Sequence, residues 1–146
     1  MEPNSLRIRH VTASDFETVY RFINALENTT FDKNTQRDIF LQNLSNSEHV
    51  FLLAEVNHTP VGYLSCMVQL LIHHGGPVGE IQEMYVEPDY RSHGVGKALI
   101  DSLKSIAKTK NWLQLEVTSG LQRGKAHEFY LREGFADTHK KFTLGL

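Results

Sequence analysis

Apolar and polar positions follow two periods along the chain, and each change of period marks an element. In residues 6–11, Leu6 and Ile8 share one face with His10 in line, the period-two pattern of a strand. Thr12 and Asp15 have capping-box spacing, with Asp where Glu is more usual, so a helix starts there. Phe16, Val19, Tyr20 and Ile23 then recur at i, i+3, i+4, i+7, an amphipathic helical stripe. Asn28-Thr29-Thr30 breaks it, and residues 32–43 read as a second helix with Ile39, Phe40 and Leu44 facing inward.

The apolar run 50–56 is a strand, and residues 57–60 form a turn, since Asn57 tolerates left-handed geometry and Pro60 presets φ. Residues 61–72 return as a long strand, making an antiparallel hairpin that Gly75-Gly76-Pro77 ends, and 79–86 is a further strand. Residues 94–108 give the clearest helix, with Val95, Leu99, Leu103 and Ile106 as its buried stripe. A short strand at 113–117 and a short helix at 125–133 follow. Gly134 stands where a left-handed C′ residue is favoured. Residues 135–144 are expected to close the chain as an extended strand. The order β-α-α-β-β-β-α-β-α-β predicts a mixed α/β (α+β) fold of one domain, residues 1–146. Its central hairpin argues against a purely parallel nucleotide-binding sheet, which needs a crossover between successive strands.

Composition narrows the function classes. A net charge of −2 gives no electrostatic case for nucleic acid or an anionic membrane as partner. No apolar run approaches the roughly 20 residues of a membrane-spanning helix. The first ten residues lack the apolar core of a secretion signal, so a cytoplasmic protein is expected. Cys66 is the only cysteine, which excludes a disulfide framework and a cysteine zinc site.

Chemistry concentrates in two segments. The first is the loop Arg91-Ser92-His93-Gly94-Val95-Gly96, between a strand and a helix. Its spaced glycines let a ligand approach the backbone, Arg91 adds a positive charge, and the helix start presents unpaired N–H groups, a seat for phosphate oxygens. Taken alone, such a loop is equally a tight strand-to-helix turn. A Walker motif fails because Ala98 follows Lys97 where Ser or Thr is required. The second segment, residues 126–135, carries Phe129-Tyr130 and Gly134-Phe135.

Together, Arg91-x-x-Gly94-x-Gly96 and Phe129-Tyr130-x-x-x-Gly134-Phe135, about 40 residues apart, resemble the GNAT superfamily of acetyl-CoA-dependent N-acetyltransferases. Within it, Ile72-His73-His74, residues 79–83 and residues 126–134 are similar to aminoalkylphosphonate N-acetyltransferases. The resemblance implies a three-layer fold with a mostly antiparallel sheet of six to seven strands and about four helices. It implies acetyl-CoA as cosubstrate. Backbone groups of Met84, Tyr85 and Val86 would pair with its pantetheine arm, and amides of Ser92, His93, Gly94, Val95, Gly96 and Lys97 would hold its pyrophosphate.

The implied acceptor is a small-molecule primary amine that attacks the thioester directly, with no protein nucleophile. Cys66 is therefore read as a buried strand residue. Tyr130 stands at the family's general-acid position. Three carboxylates compete as base: Glu80, the first choice, Glu83, expected on the opposite face of the same strand by simple alternation, and Glu116. A protein or peptide amine as acceptor, or a non-catalytic acyl-CoA-binding domain, are the alternatives. Where many members carry a cofactor-bonding Asn, this chain has Arg123, either a phosphate or substrate contact or a surface charge. A divalent ion on His73 or His74 with Glu80 and His127 is the less favoured reading of those histidines. The short stretch after Gly134 hardly fits two closing strands, so a partner subunit covering the sheet edge, a homodimer, is expected.

Overall fold

The computed structural model describes residues 5–146. Five strands form one sheet in the order β1 (Leu6–His10), β2 (Val50–Val56), β3 (Thr59–Leu71), β4 (Gly76–Val86) and β5 (Gln114–Val117). The first four pair antiparallel, whereas β5 runs parallel to β4. Four helices cover it: α1 (Phe16–Glu27), α2 (Lys33–Leu44), α3 (Val95–Thr109) and α4 (Gly124–Arg132).

Each face of the sheet carries its own core, because strand side chains alternate. Leu52, Ala54, Leu64 and Cys66 point to one side, where α3 lays down Val95, Leu99, Ile100 and Leu103. Phe129 of α4 and Phe135 pack against this cluster. On the other side Leu53, Tyr63 and Tyr85 meet Phe16, Val19 and Phe22 of α1 and Phe40 of α2. The result is three layers, with α1 and α2 on one face and α3 and α4 on the other.

Local chemistry sets the boundaries. Thr12 and Asp15 form the capping box, through one short 3-10 turn before α1. Asp15 also receives Arg9, whose Nη2 lies 2.8 Å from Oδ1 while its Nε lies 3.2 Å from Glu55 Oε1. The Arg9 guanidinium holds the Asp15 carboxyl below the usual range. This ties β1, β2 and the start of α1 together. Asp32 caps α2 by accepting from the Thr35 N–H at 2.9 Å. Asn57 and His58 both take left-handed φ, the two-residue hairpin turn that matches strand twist. Gly134, at φ 97°, ends α4 as expected.

Several expectations are corrected. No strand forms after α4, so the sheet has five strands among the described residues rather than six or seven. Ile39 is exposed while Phe40 and Leu44 pack under α2, and Ile100 joins the α3 stripe. His73 and His74 lie in the β3–β4 turn, and their rings sit 4.5 Å apart.

Candidate active site

The site grows from a split in the sheet. β4 pairs with β5 only from Val78 to Ile81, opposite residues 114–117. Beyond Ile81 the outer edge of β4 has no strand beside it. The Glu83 N–H is given to Ser65 Oγ (3.1 Å) and the Glu87 N–H to Val61 O (2.8 Å), so odd-numbered amides face β3. By alternation the backbone groups of Met84 and Val86 face the open edge.

The loop after β4 turns back across this edge. Ser92 and Gly94 both adopt left-handed φ, 65° and 83°, and α3 begins at Val95. Alternating left-handed residues before a helix turn successive N–H groups to one side, an anion-binding nest. No acceptor among the described residues takes a well-formed hydrogen bond from the amides of residues 92–97. Gly94 has open space where a Cβ would stand. Gly96 serves another purpose: a Cβ there would lie 3.0 Å from Met84 Cε and 3.3 Å from a Phe129 ring carbon. Its missing side chain lets β4, α3 and α4 meet at one point.

The carboxylates assemble on the α1 side. Ser65 pairs with Glu83 but Cys66 pairs with Ile81, which leaves Gln82 as a bulged residue without a partner. Met67 pairs with Glu80, so Glu80 and Glu83 share a face, and Glu116, opposite Glu80 on parallel β5, joins them. Opposite faces were expected for Glu80 and Glu83; the bulge shifts the alternation by one residue.

Glu80 spans the split. Its Oε2 accepts from Thr118 Oγ1, just past β5, at 3.3 Å, and its Oε1 from Gln82 Nε2 at 3.3 Å. Glu83 is half-buried and accepts from the Ser65 hydroxyl. Burial pushes its carboxyl up, Ser65 works against that, and nearby Glu27 adds to it. Glu116 accepts from Gln114 and lies 3.8 Å from His74 Nε2.

Tyr130 stands on α4 between Phe129 and Phe135, with ring centroids 5.3 and 5.7 Å away. Burial raises its phenol pKa, and the Arg123 cation opposes the rise. Its hydroxyl has no hydrogen-bond partner among the described residues, yet no buried side-chain polar atom is left unpaired, so this oxygen reaches solvent.

Comparison with known proteins shows the family. The pattern of the "Acetyltransferase (GNAT) family" matches residues 15–135. The chain belongs to that family. It is 34% identical over 139 residues to an aminoalkylphosphonate N-acetyltransferase of Salmonella typhimurium, covering 95% of this chain and 90% of that one. A Bacillus halodurans transcriptional regulator has the same fold at a TM-score of 0.88 and 19% identity, covering 97% and 99% of the two chains. So does an aminoglycoside 6′-N-acetyltransferase from Acinetobacter haemolyticus, at 0.83 and 21% identity over 96% and 97%.

This GNAT acetyltransferase places its remaining candidates unevenly. Arg91 is turned back from the loop: its Nε donates to Val86 O at 2.8 Å and its guanidinium lies over the Tyr85 ring. The Lys97 ammonium faces Asp101 and Glu133, 3.4 and 3.5 Å away, so only its backbone N–H faces the nest. Ser92 and His93 are exposed, and Tyr85 is buried among the α1 aromatics. Arg123 sits at the start of α4 and acts on Tyr130.

Cys66 is fully buried and its thiol is pushed up to about 12 by burial, with Glu80 adding to the rise, which suits a packed strand residue. His127 Nε2 lies 2.8 Å from Gly120 O. Among the described residues no three of His, Cys, Asp or Glu are grouped to hold a metal ion. No helix among them is long and apolar enough to cross a membrane. The sequence reading missed Ser65, Gln82 and Thr118, the partners that hold the carboxylates. No local pattern announces them, because each is set by cross-strand register.

Proposed function

We propose that the chain moves an acetyl group from acetyl-CoA to the primary amine of a small molecule by direct attack. The observation that carries this reading is the row of unmet amides at residues 92–97 beside the open edge of β4. The diphosphate of the cosubstrate fits that row, and its pantetheine arm fits the Met84 and Val86 backbone. The residues present therefore suit the group. The whole chain, residues 1–146, acts as one domain in this reading.

The amine must be neutral to attack. Glu80, at the mouth of the split, takes its proton directly or through one water. Glu83 and Glu116, with Glu27 nearby, make this side acidic and favour a cationic acceptor. The nitrogen lone pair attacks the thioester carbon, the carbon–sulfur bond breaks, and the departing thiolate takes the Tyr130 proton. Tyr130 is protonated at neutral pH in any case, and the Arg123 cation, which opposes the upward push of burial, favours release of its proton.

The Salmonella relative's name gives an aminoalkylphosphonate acceptor. Arg123, beside Tyr130, is the cation placed to meet an anionic group on such an acceptor. A thiol-release assay across aminoalkylphosphonates, amino acids, diamines and peptides, with and without chelator, tests the proposal. Turnover of a small amine that survives chelation is expected. Turnover of peptides alone, or loss of all turnover on chelation, overturns it.

A further inference from the structure

Ser65 stands inside an apolar strand. Val61, Tyr63, Leu64 and Cys66 around it are buried, and Ser65 is fully buried with them. A hydroxyl taken out of water costs stability unless hydrogen bonds replace those lost. Both of its bonds go to one residue. Ser65 Oγ accepts from the Glu83 N–H at 3.1 Å and donates to Glu83 Oε1. Glu83 is thus clamped by its backbone and its side chain at once, at the place where the register shifts between Ser65 and Cys66.

The clamp leaves the carboxylate one-armed. Oε1 is committed to Ser65, whereas no hydrogen-bond donor among the described residues reaches Oε2. No buried side-chain polar atom among them lacks a partner, so Oε2 is open to solvent on the acceptor side. The titratable groups around it are Glu27 of α1, Tyr63 of β3 and, on the same face, Glu80 of β4 and Glu116 of β5. None of them is a cation. Burial and Glu27 both push the Glu83 carboxyl up, and the Ser65 hydroxyl is the one group that works toward ionisation. An ammonium group that docks on Oε2 therefore meets a carboxylate whose direction and charge Ser65 controls.

We propose that Ser65 is a positioning residue for the acceptor: by holding Oε1 it presents Oε2 of Glu83 as the oxygen that receives the acceptor's ammonium group before proton loss to Glu80. Ser65 itself does not touch the acceptor. The part played by the acceptor rests on the acetyl-transfer reading; the clamp on Glu83 does not.

Steady-state kinetics with the small amine that the parent acetylates best tests the proposal. Ser65→Ala should raise the KM of the amine about tenfold, the weight of one hydrogen bond to a charged group, with kcat changed far less. It should also move the acid limb of kcat/KM to higher pH, because the carboxyl loses the bond that favours its ionised form. Ser65→Thr, which keeps the hydroxyl, should restore the parent KM. In a Glu83→Ala background, Ser65→Ala should leave the KM where it is. A KM that does not move in Ser65→Ala, or that moves equally without Glu83, overturns the proposal.

The Glu83 carboxyl carbon, followed by carbon NMR and assigned with Glu83→Gln, reads the clamp without turnover. Its titration midpoint should lie higher in Ser65→Ala than in the parent, and an equal midpoint overturns the clamp. A chain whose carboxyl behaves so but which acetylates no amine refutes the transfer reading alone. Should Ser65→Ala fail to fold, the parent decides: aminoethylphosphonate should shift the Glu83 carboxyl resonance, and a resonance that stays put overturns the proposal.

Discussion

Glu80, Glu83 and Tyr130 divide the chemistry by their surroundings. Glu80 faces the split with both oxygens reached only by Thr118 and Gln82, whereas Glu83 is held by Ser65 in a half-buried site. Glu80→Gln should therefore lower kcat by about 10²-fold, within the usual reach of general-base catalysis. Glu83→Gln should mainly raise the KM of the amine. Steady-state kinetics on the two variants checks this, and the reverse split would exchange their roles.

Tyr130→Phe should likewise cost about 10²-fold in kcat with little change in the KM of acetyl-CoA. An unchanged kcat would remove Tyr130 from the acid role. Glu83 also carries a stability signature. Its folded pKa is raised by burial, so ionisation costs the folded chain more than the unfolded one. The associated stability is complete below the ordinary carboxylate range and is lost as pH rises through the folded value. Glu83→Gln removes that loss. The melting temperature of the variant relative to the parent should rise as pH climbs above the ordinary carboxylate range, and a relative fall would contradict the assignment.

At the scale of elements, two glycines separate function from packing. A Cβ on Gly94 meets nothing, and only its φ of 83° resists substitution. Gly94→Ala should cost about 1–2 kcal/mol and weaken acetyl-CoA binding by distorting the amide row. A Cβ on Gly79 would lie 2.6 Å from the Trp112 ring. Gly79→Ala should destabilise by about 1–3 kcal/mol through overpacking while leaving the loop intact. Thermal melts with acetyl-CoA titrations distinguish them: the Gly94 variant should lose more affinity for its stability loss.

These elements also show how far sequence reaches. The loop and α3 were legible because turn, cap and stripe are all local. The shared face of Glu80 and Glu83 was not, because the bulge at Gln82 exists only relative to β3. Arg91 was legible as a charge near the loop, but its bond to Val86 O depends on a turn that no spacing encodes.

At the scale of the molecule, the three layers separate two tasks. The α3 face is a continuous apolar core that fixes the nest and α4, while the α1 face carries the carboxylates beside its aromatic cluster. The split between β4 and β5 joins the two, because it is open to the nest at one end and to Glu80 across its mouth. Fold class, layer order and both motif segments followed from the chain's periodicities and from the family resemblance. The strand count did not, since no strand forms after α4 among the described residues.

The most direct test is a crystal of the chain soaked with acetyl-CoA. The diphosphate should lie within hydrogen-bond reach of the amides of residues 92–97, with the thioester sulfur beside the Tyr130 hydroxyl. A ligand bound elsewhere, or bound with those amides unengaged, would contradict the account.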